Sequence, residues 1–239
     1  MNIKNLSLEQ KVLRNRIIDI SFNRNLSHIG SCLSSVDIIN AIYKVKKRSE
    51  KFILSNGHAG VALYAVLEKN KIIDPSITYK LNIHPDRNEK IGIDVSTGSL
   101  GHGLPIALGI ALANRNKNVY CIISDGECTE GSIWETLRIA SDKKVSNLKI
   151  ILNANGWGAY DNIPLGNLIK RLRTFDCELI KLDGHKTNEM ISVLSKNYKK
   201  PLLIFAKTEV EQFQFLKGQD AHYYVMNSND YKLAKKLLS

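Results

Sequence analysis

The stretch Val119-Tyr120-Cys121-Ile122-Ile123-Ser124-Asp125-Gly126-Glu127 decides the fold: an apolar, β-branched run that closes on an acid beside a glycine. A second apolar run, Leu148 to Leu152, leads in the same way to Asn155-Gly156, thirty positions beyond Asp125. Short apolar runs bounded by turn residues read as strands buried on both faces. An acid and an Asn at the ends of successive strands can hold one hard cation. Mg²⁺ takes octahedral oxygen ligands, usually one or two protein groups completed by phosphate and water. Glycines beside those ligands let a diphosphate approach the backbone. Ligands of α/β sheets bind at the carboxyl ends of parallel strands. The pattern therefore predicts a Mg²⁺-diphosphate site.

Working outward, Ser7-Leu8-Glu9-Gln10 is a capping-box start for a helix to about Arg24. Leu26 to Ser34 reads as a loop holding His28, and Ser34-Ser35-Val36-Asp37 opens the next helix. Phe52 to Leu54 is a short strand, followed by a helix from Ala59 to Lys69. Positions 80–103 are irregular and rich in Gly, Ser and Thr, and a loop that long is usually functional. Beyond it lie a helix from Leu104 to Asn114, the strand Val119 to Ile123, a helix from Ser132 to Asp142 and the strand Leu148 to Leu152. The strand Glu178 to Leu182, a helix from Thr187 to Lys196 and the strand Leu202 to Ala206 complete the pattern. Alternating strands and helices predict an α/β fold, a mostly parallel sheet with helices on both faces. One domain spanning 1–239 is expected, with its core at about 8–208 and a mobile C-terminal tail at 209–239.

A hydrophobic content of 44% and a charged content of 24% suit a globular chain, and no run of eighteen apolar residues suggests a membrane span. No signal-peptide core follows Met1, so the cytoplasm is expected. Cys32, Cys121, Cys128 and Cys177 show no metal-type spacing and read as reduced thiols. The net charge of +11 raises the question of nucleic acid. The basic residues are dispersed along the chain, however, and no basic-aromatic stripe or helix-turn-helix organises them. A lysine-rich solvated surface is the reading; an acidic partner chain or phosphorylated substrates are the alternatives.

Several segments, in order, resemble the N-terminal, diphosphate-binding half of transketolase. They are Ser27-His28-Ile29-Gly30, Leu54-Ser55-Asn56-Gly57-His58-Ala59, His84-Pro85-Asp86 and Ser96-Thr97-Gly98-Ser99-Leu100-Gly101-His102-Gly103. Asp125-Gly126-Glu127 with Glu130-Gly131, Asn155-Gly156 and Asp183-Gly184-His185 continue the series, which covers roughly positions 8–225. The closest resemblance is to the split transketolases, whose N-terminal subunit is a separate polypeptide. The resemblance implies the thiamine diphosphate-binding fold and the cofactors thiamine diphosphate and Mg²⁺. It implies Asp125, Asn155 and the Trp157 carbonyl as metal ligands. His58, Gly98, Ser99, Leu100, Gly126 and Glu127 would contact the cofactor, together with Asp125 and Asn155. His28, His58, His84 and His222 would line the substrate channel, where imidazole can donate to sugar hydroxyls and move protons near neutral pH. Glu130 matches a glutamate at the subunit interface that couples paired active sites. His185 reads as structural.

The sequence departs from the family at Ser124, which stands for Gly, at Ile29, which stands for Pro, and at His102, which stands for Gln. The segments between Tyr43 and Phe52 and after Trp157 are shorter than in typical relatives. These differences bear on the substrate more than on the cofactor. The chain ends at Ser239 without a pyrimidine-binding domain. The resemblance therefore implies a separate C-terminal partner, the two kinds of chain forming a heterotetramer. The expected activity is transfer of a two-carbon ketol unit from a ketose to an aldose. A two-carbon transferase of a specialised sugar or natural-product pathway is the alternative, and a non-catalytic scaffold role is a third reading.

Overall fold

The computed structural model describes residues 3–239. Among the described residues five strands, β1 (Lys51–Leu54), β2 (Val119–Ser124), β3 (Leu148–Ala154), β4 (Glu178–Asp183) and β5 (Leu202–Lys207), form one sheet in the order β1-β2-β3-β5-β4. All four pairings are parallel. The helices, in chain order, begin with α1 (Leu8–Asn23), α2 (Ile29–Val45), α3 (Gly60–Lys69) and α4 (Pro75–Thr78). They continue with α5 (Gly103–Ala113), α6 (Gly131–Asp142), α7 (Leu165–Leu172), α8 (Thr187–Leu194), α9 (Asp220–Tyr223) and α10 (Ser228–Leu238).

The sheet is covered on both sides because its strands are apolar on both faces. Along β2, Tyr120 and Ile122 enter a core with α1, α2 and α3, while Cys121 and Ile123 enter a second core with α5 and α6. A period of two thus sorts a continuous hydrophobic run between two layers. The Ser7 capping box forms as expected: Ser7 Oγ accepts from the Gln10 N–H, and Gln10 Oε1 accepts from the Ser7 N–H at 3.1 Å. The four cysteines are free thiols. Among the described residues, no helix is long and apolar enough to cross a membrane.

Two expectations need correction. Residues 29–34 are not loop, since α2 already begins at Ile29 and every residue from Ile29 to Ile42 is buried. The stretch Ile29-Gly30-Ser31-Cys32 looks like a polar turn, but α2 is the central helix of its layer, and its serines and Asp37 find buried partners there. Nor do residues 209–239 form a mobile tail. α10 packs on α1, with Tyr231 stacked on Phe22 at 4.3 Å and both Tyr231 Oη and Lys235 Nζ donating to Asp19 at 2.9 Å. An Asn227–Asp230 capping box starts α10, a helix signal that the sequence itself carries.

Candidate active site

The register of the sheet brings the chemistry together. Ser124 pairs with Asn153 at the carboxyl ends of β2 and β3, so the loops that follow are neighbours. Asp125 is buried beneath them. Its Oδ1 accepts from the Gly126 N–H at 3.0 Å and its Oδ2 from the Gly156 N–H at 2.6 Å. Burial pushes its carboxyl up to about 7, with the backbone hydrogen bonds acting in the opposite direction. Asn155 is held in an Asx turn, its Oδ1 accepting from the Trp157 N–H at 2.9 Å. A Cβ on Gly126 would stand 3.2 Å from the Gly158 Cα and 4.0 Å from the Trp157 carbonyl oxygen, so only glycine keeps this gap open. A cleft above is lined by His58, Leu100, Gly126, Asn155, Trp157 and His222, with Ser31, Ser124, Gly158 and Ala159.

Beneath the cleft runs a buried polar belt. Asn153 Nδ2 donates to Ser34 Oγ and Ser35 Oγ, both at 2.9 Å, and Asn56 Nδ2 donates to Ser35 Oγ at 3.1 Å. Thr208 Oγ1 donates to Asn153 Oδ1. These bonds tie the start of α2 and the ends of β1, β3 and β5 together, which fixes the loops that carry the site.

Four histidines from four separate segments meet at one side. His28 lies 4.5 Å from His222, 5.6 Å from His58 and 6.1 Å from His84 between ring centroids, and His58 lies 5.0 Å from His222. His28 caps α2 in the left-handed region at φ 63°, and its N–H donates to the His222 carbonyl at 2.9 Å. Such a strained conformation in a non-glycine residue clusters at functional sites. Its Nδ1 is buried without a hydrogen-bond partner. Burial first, and then the neighbouring His222 and His84, push the His28 imidazole down to about 4. Burial and the other three rings hold His58 well below the ordinary range, and burial lowers His222. These three rings are therefore uncharged at neutral pH. They offer hydrogen bonds to hydroxyls rather than a positive field.

The remaining candidates separate into positions at the cleft and positions beside it. Leu100 lines the cleft. Gly98, at φ 144°, lies against His84: a Cβ there would sit 2.8 Å from the ring. Ser99 is exposed on the same loop. Glu127 is wholly engaged inside the protein. Its Oε1 accepts from Ser55 Oγ at 2.5 Å and from the Gly101 N–H at 3.0 Å, and its Oε2 accepts from the Ser124 N–H at 2.9 Å. It braces the 97–103 loop against β1 and β2, a positioning part rather than the direct cofactor contact expected of it. Glu130 is exposed at the start of α6, beside Gly101 and outside the cleft lining. His102 is exposed at the start of α5. His185 donates from Nδ1 to Asp37 Oδ2 at 2.8 Å while its Nε2 accepts from the Glu209 N–H at 3.1 Å.

Two residues at this site went unread in the sequence. Ser31 reaches the cleft because α2 starts early. Tyr223, 54% exposed, sits 4.8 Å from His222 and 6.0 Å from His28. Its position next to His222 was the only available signal.

Known proteins resemble this chain in sequence and in fold. The family described as 1-deoxy-D-xylulose-5-phosphate synthase, N-terminal part, matches residues 1–180. Human transketolase is 33% identical over 207 residues, covering 76% of this chain and 33% of that protein. The A-type subunit of apulose-4-phosphate transketolase from Phocaeicola vulgatus is 28% identical over 270 aligned residues, covering 100% of this chain and 95% of its own length. The 6-deoxy-6-sulfo-D-fructose transketolase subunit SqwG of a Clostridium species is 29% identical over 247 residues, covering 91% of this chain and 87% of that protein. The crystal structure of transketolase from Campylobacter jejuni superposes with a TM-score of 0.86 at 24% identity, over 98% of this chain and 43% of that one.

The fold is thus that of the diphosphate-binding α/β domain of the transketolase type. The chain belongs to the family of 1-deoxy-D-xylulose-5-phosphate synthase and transketolase N-terminal domains. It spans about a third of the length of the transketolases it matches, and nearly the whole of the Phocaeicola apulose-4-phosphate relative.

Proposed function

We propose that this chain is the N-terminal subunit of a two-component, thiamine diphosphate- and Mg²⁺-dependent transketolase. The observation that carries the reading is Asp125, a buried carboxylate with backbone donors and no cationic side chain, beside a gap that only glycine leaves open. The donor set fits a hard cation that shares its ligands with phosphate. Asp125, Asn155 and the Trp157 carbonyl supply one anionic and two neutral oxygens. Among the described residues, no cluster of three or more His, Cys, Asp or Glu side chains forms a self-sufficient metal cage. Any further oxygen ligands would be supplied by the diphosphate and water.

When bound, the cofactor supplies the electron sink for breaking the bond next to a ketose carbonyl. The chain does the positioning. Gly126 admits the diphosphate to the backbone at the start of the following helical turn. Leu100 and Gly98 form the wall behind the cofactor, and Glu127 holds that wall through Gly101. His58 stands between the cleft and the histidine group. His28, His84 and His222 bind the sugar hydroxyls and move protons at the carbonyl and hydroxyl oxygens. The ring of the cofactor away from the diphosphate needs a surface that a partner C-terminal subunit supplies, and Glu130 with the 98–103 loop would lie at that junction. Four free thiols suit a reducing compartment such as the cytoplasm.

A second reading keeps the cofactor and changes the sugar. Relatives that match this chain over nearly its whole length carry the names of specialised substrates, apulose 4-phosphate and 6-deoxy-6-sulfofructose. A two-carbon transferase acting on an unusual aldose is therefore the alternative, and an acceptor screen on the assembled enzyme separates it from central-pathway ketol transfer.

Titration calorimetry with thiamine diphosphate at limiting Mg²⁺, on the chain with its candidate partner, tests the site. Asp125→Ala should weaken binding by more than about tenfold, or about 1.4 kcal/mol. Asn155→Ala should weaken it less, because only a neutral ligand is lost. Equal affinity in wild type and Asp125→Ala refutes the assignment. Full turnover by the isolated chain refutes the two-component reading.

A further inference from the structure

In a parallel sheet every strand is entered from the same edge. The five connections that run from the end of a helix through the first residue of a strand are 46–51, 114–119, 143–148, 173–178 and 195–202. All of them therefore lie at the amino edge, opposite the candidate active site. They carry twelve Lys and Arg side chains against three Asp and Glu, nine of the eleven net positive charges of the chain. The five connections that leave the strands, 55–59, 125–130, 155–164, 184–186 and 208–219, carry two basic against six acidic side chains. The surplus thus sits away from the edge where a diphosphate and a sugar would bind. Along the sequence these residues are dispersed; the topology gathers them.

Two of the three acids at this pole are already engaged, and the third, Glu178, is exposed at the start of β4. Glu50 is buried and accepts from Asn118 Nδ2 at 2.8 Å and the Lys47 N–H at 2.7 Å, and Asp176 pairs with Lys200. Lys47, Arg48, Lys117, Lys143, Lys144 and Lys199 are exposed and make no ion pair among the described residues. The loops are also fixed to one another. The Arg115 guanidinium donates to the Lys143 and Lys144 carbonyls, each at 3.3 Å. Asn147 Nδ2 donates to the Asn114 carbonyl at 3.0 Å and the Lys117 carbonyl at 2.9 Å. Between them lies a groove of about 370 Å³ edged by Lys47, Arg115, Asn116, Asn118 and Asn197.

We infer that this basic pole docks the phosphodiester backbone of a nucleic acid, without reading its bases. Lysine, arginine and asparagine donors are the groups that contact phosphate and sugar. None of the large exposed hydrophobic residues falls in these five connections. One aromatic ring, the half-buried Tyr198, lines the groove, its hydroxyl donating to the Val193 carbonyl at 2.9 Å. With no large exposed apolar residue beside it, the pole offers no wedge for a lipid bilayer and no apolar centre for a dry protein interface. Binding of this kind is sequence-independent and steeply salt-dependent. It is independent of the ketol-transfer function proposed above.

Fluorescence anisotropy with a fluorescein-labelled single-stranded RNA 20-mer, in two unrelated sequences, tests it on the purified full chain. Both RNAs should bind alike, with Kd on the order of 10⁻⁴–10⁻⁶ M at physiological salt, and log K should fall linearly with log salt. Lys117→Glu, Lys143→Glu and Lys144→Glu together should weaken binding more than about tenfold and flatten the salt slope. Lys186→Glu, Lys217→Glu and Lys236→Glu together, an equal charge change away from the pole, should do so far less. Exposed surface lysines leave the core untouched, and circular dichroism checks the fold of each variant. Equal weakening in the two triple variants overturns the inference, because net charge alone would then account for binding. So does absence of RNA binding by the wild-type chain, or preferential binding to vesicles containing an anionic phospholipid.

Discussion

Two aspartates, Asp37 and Asp125, are both fully buried, and their surroundings treat them in opposite ways. Asp37 receives Arg14 as a fork, Nη1 to Oδ1 at 3.0 Å and Nη2 to Oδ2 at 2.6 Å, and His185 Nδ1 at 2.8 Å. Burial alone would raise its carboxyl. The His185 hydrogen bond and the Arg14 charge outweigh burial and hold it below the usual range. Among the described residues Asp125 has only backbone N–H partners, and it is pushed up to about 7. Burial is common to both, so burial does not mark the functional residue. Counter-charge separates this pair: Arg14 and His185 satisfy Asp37 inside the fold, whereas Asp125 is left without a cation, as the cation site proposed above requires. Glu127, buried without a cation but held by three neutral donors, shows that a missing counter-charge alone does not mark a ligand site.

The largest effect should come from removing the satisfied member. Asp37→Ala leaves the Arg14 guanidinium buried and unpaired, at a cost of about 3–5 kcal/mol. Arg14 also donates through Nε to Gln212 at 2.8 Å, so the loss spreads from α1 and α2 to the segment after β5. Urea unfolding of the isolated chain measures it. A change below about 1 kcal/mol would mean that the network is ornamental and that the contrast with Asp125 is false.

The second effect separates chemistry from stability. His28→Ala or His84→Ala should lower ketol transfer by the assembled enzyme by roughly 10²–10⁴-fold. The affinity for thiamine diphosphate should stay nearly unchanged, and the urea midpoint should move far less than in Asp37→Ala. The buried His28 Nδ1 has no hydrogen bond to lose, so His28→Ala costs only the vacated ring space and the placing of alanine at φ 63°. Steady-state rates and calorimetry on the same preparations make the comparison. Loss of cofactor binding with unchanged turnover per bound cofactor would reverse the roles of the histidines and Asp125.

What the sequence disclosed follows the same division. The strands were legible because β2 and β3 are continuous apolar runs, and Asp125 and Asn155 were legible because glycines punctuate their ends. The histidine group was legible only through motif resemblance, because His28 and His222 meet across 194 positions of chain. The role of Glu127 was not legible: an acid inside a cofactor motif looks like a contact, and only its three internal donors show it as a brace. The early start of α2 was hidden because small polar residues read as a turn until their buried partners, Asn56 and Asn153, are known. The basic pole was hidden for a topological reason, since five short segments share an edge that no linear window contains.

The smallest effect is on the pH axis, and it sharpens the contrast between a fold that satisfies its charges and one that refuses them. His28, His58 and His222 are all held neutral, with folded values below the ordinary 6.5. As pH falls from about 6.5, the unfolded chain binds protons that the folded rings refuse, so stability falls with pH through this window and on toward about 4. Asp37 has the reverse kind of shift. Its folded carboxyl is depressed, so its contribution is intact throughout that window and is lost only as pH falls below about 3.8. Asp125, raised to about 7, gains stability as pH falls from 7 toward 3.8 and partly masks the histidines in the wild type. Replacing a single histidine cancels that common term. The thermal midpoint of His222→Asn should fall less than that of the wild type between pH 7 and pH 5, by about 2–4 °C for each kcal/mol relieved. Asp37→Asn should leave this pH 7-to-5 difference unaltered and act only at lower pH. Parallel pH profiles for wild type and His222→Asn would show that the ring is free to protonate in the folded chain, and the histidine group would then be an ordinary solvated cluster.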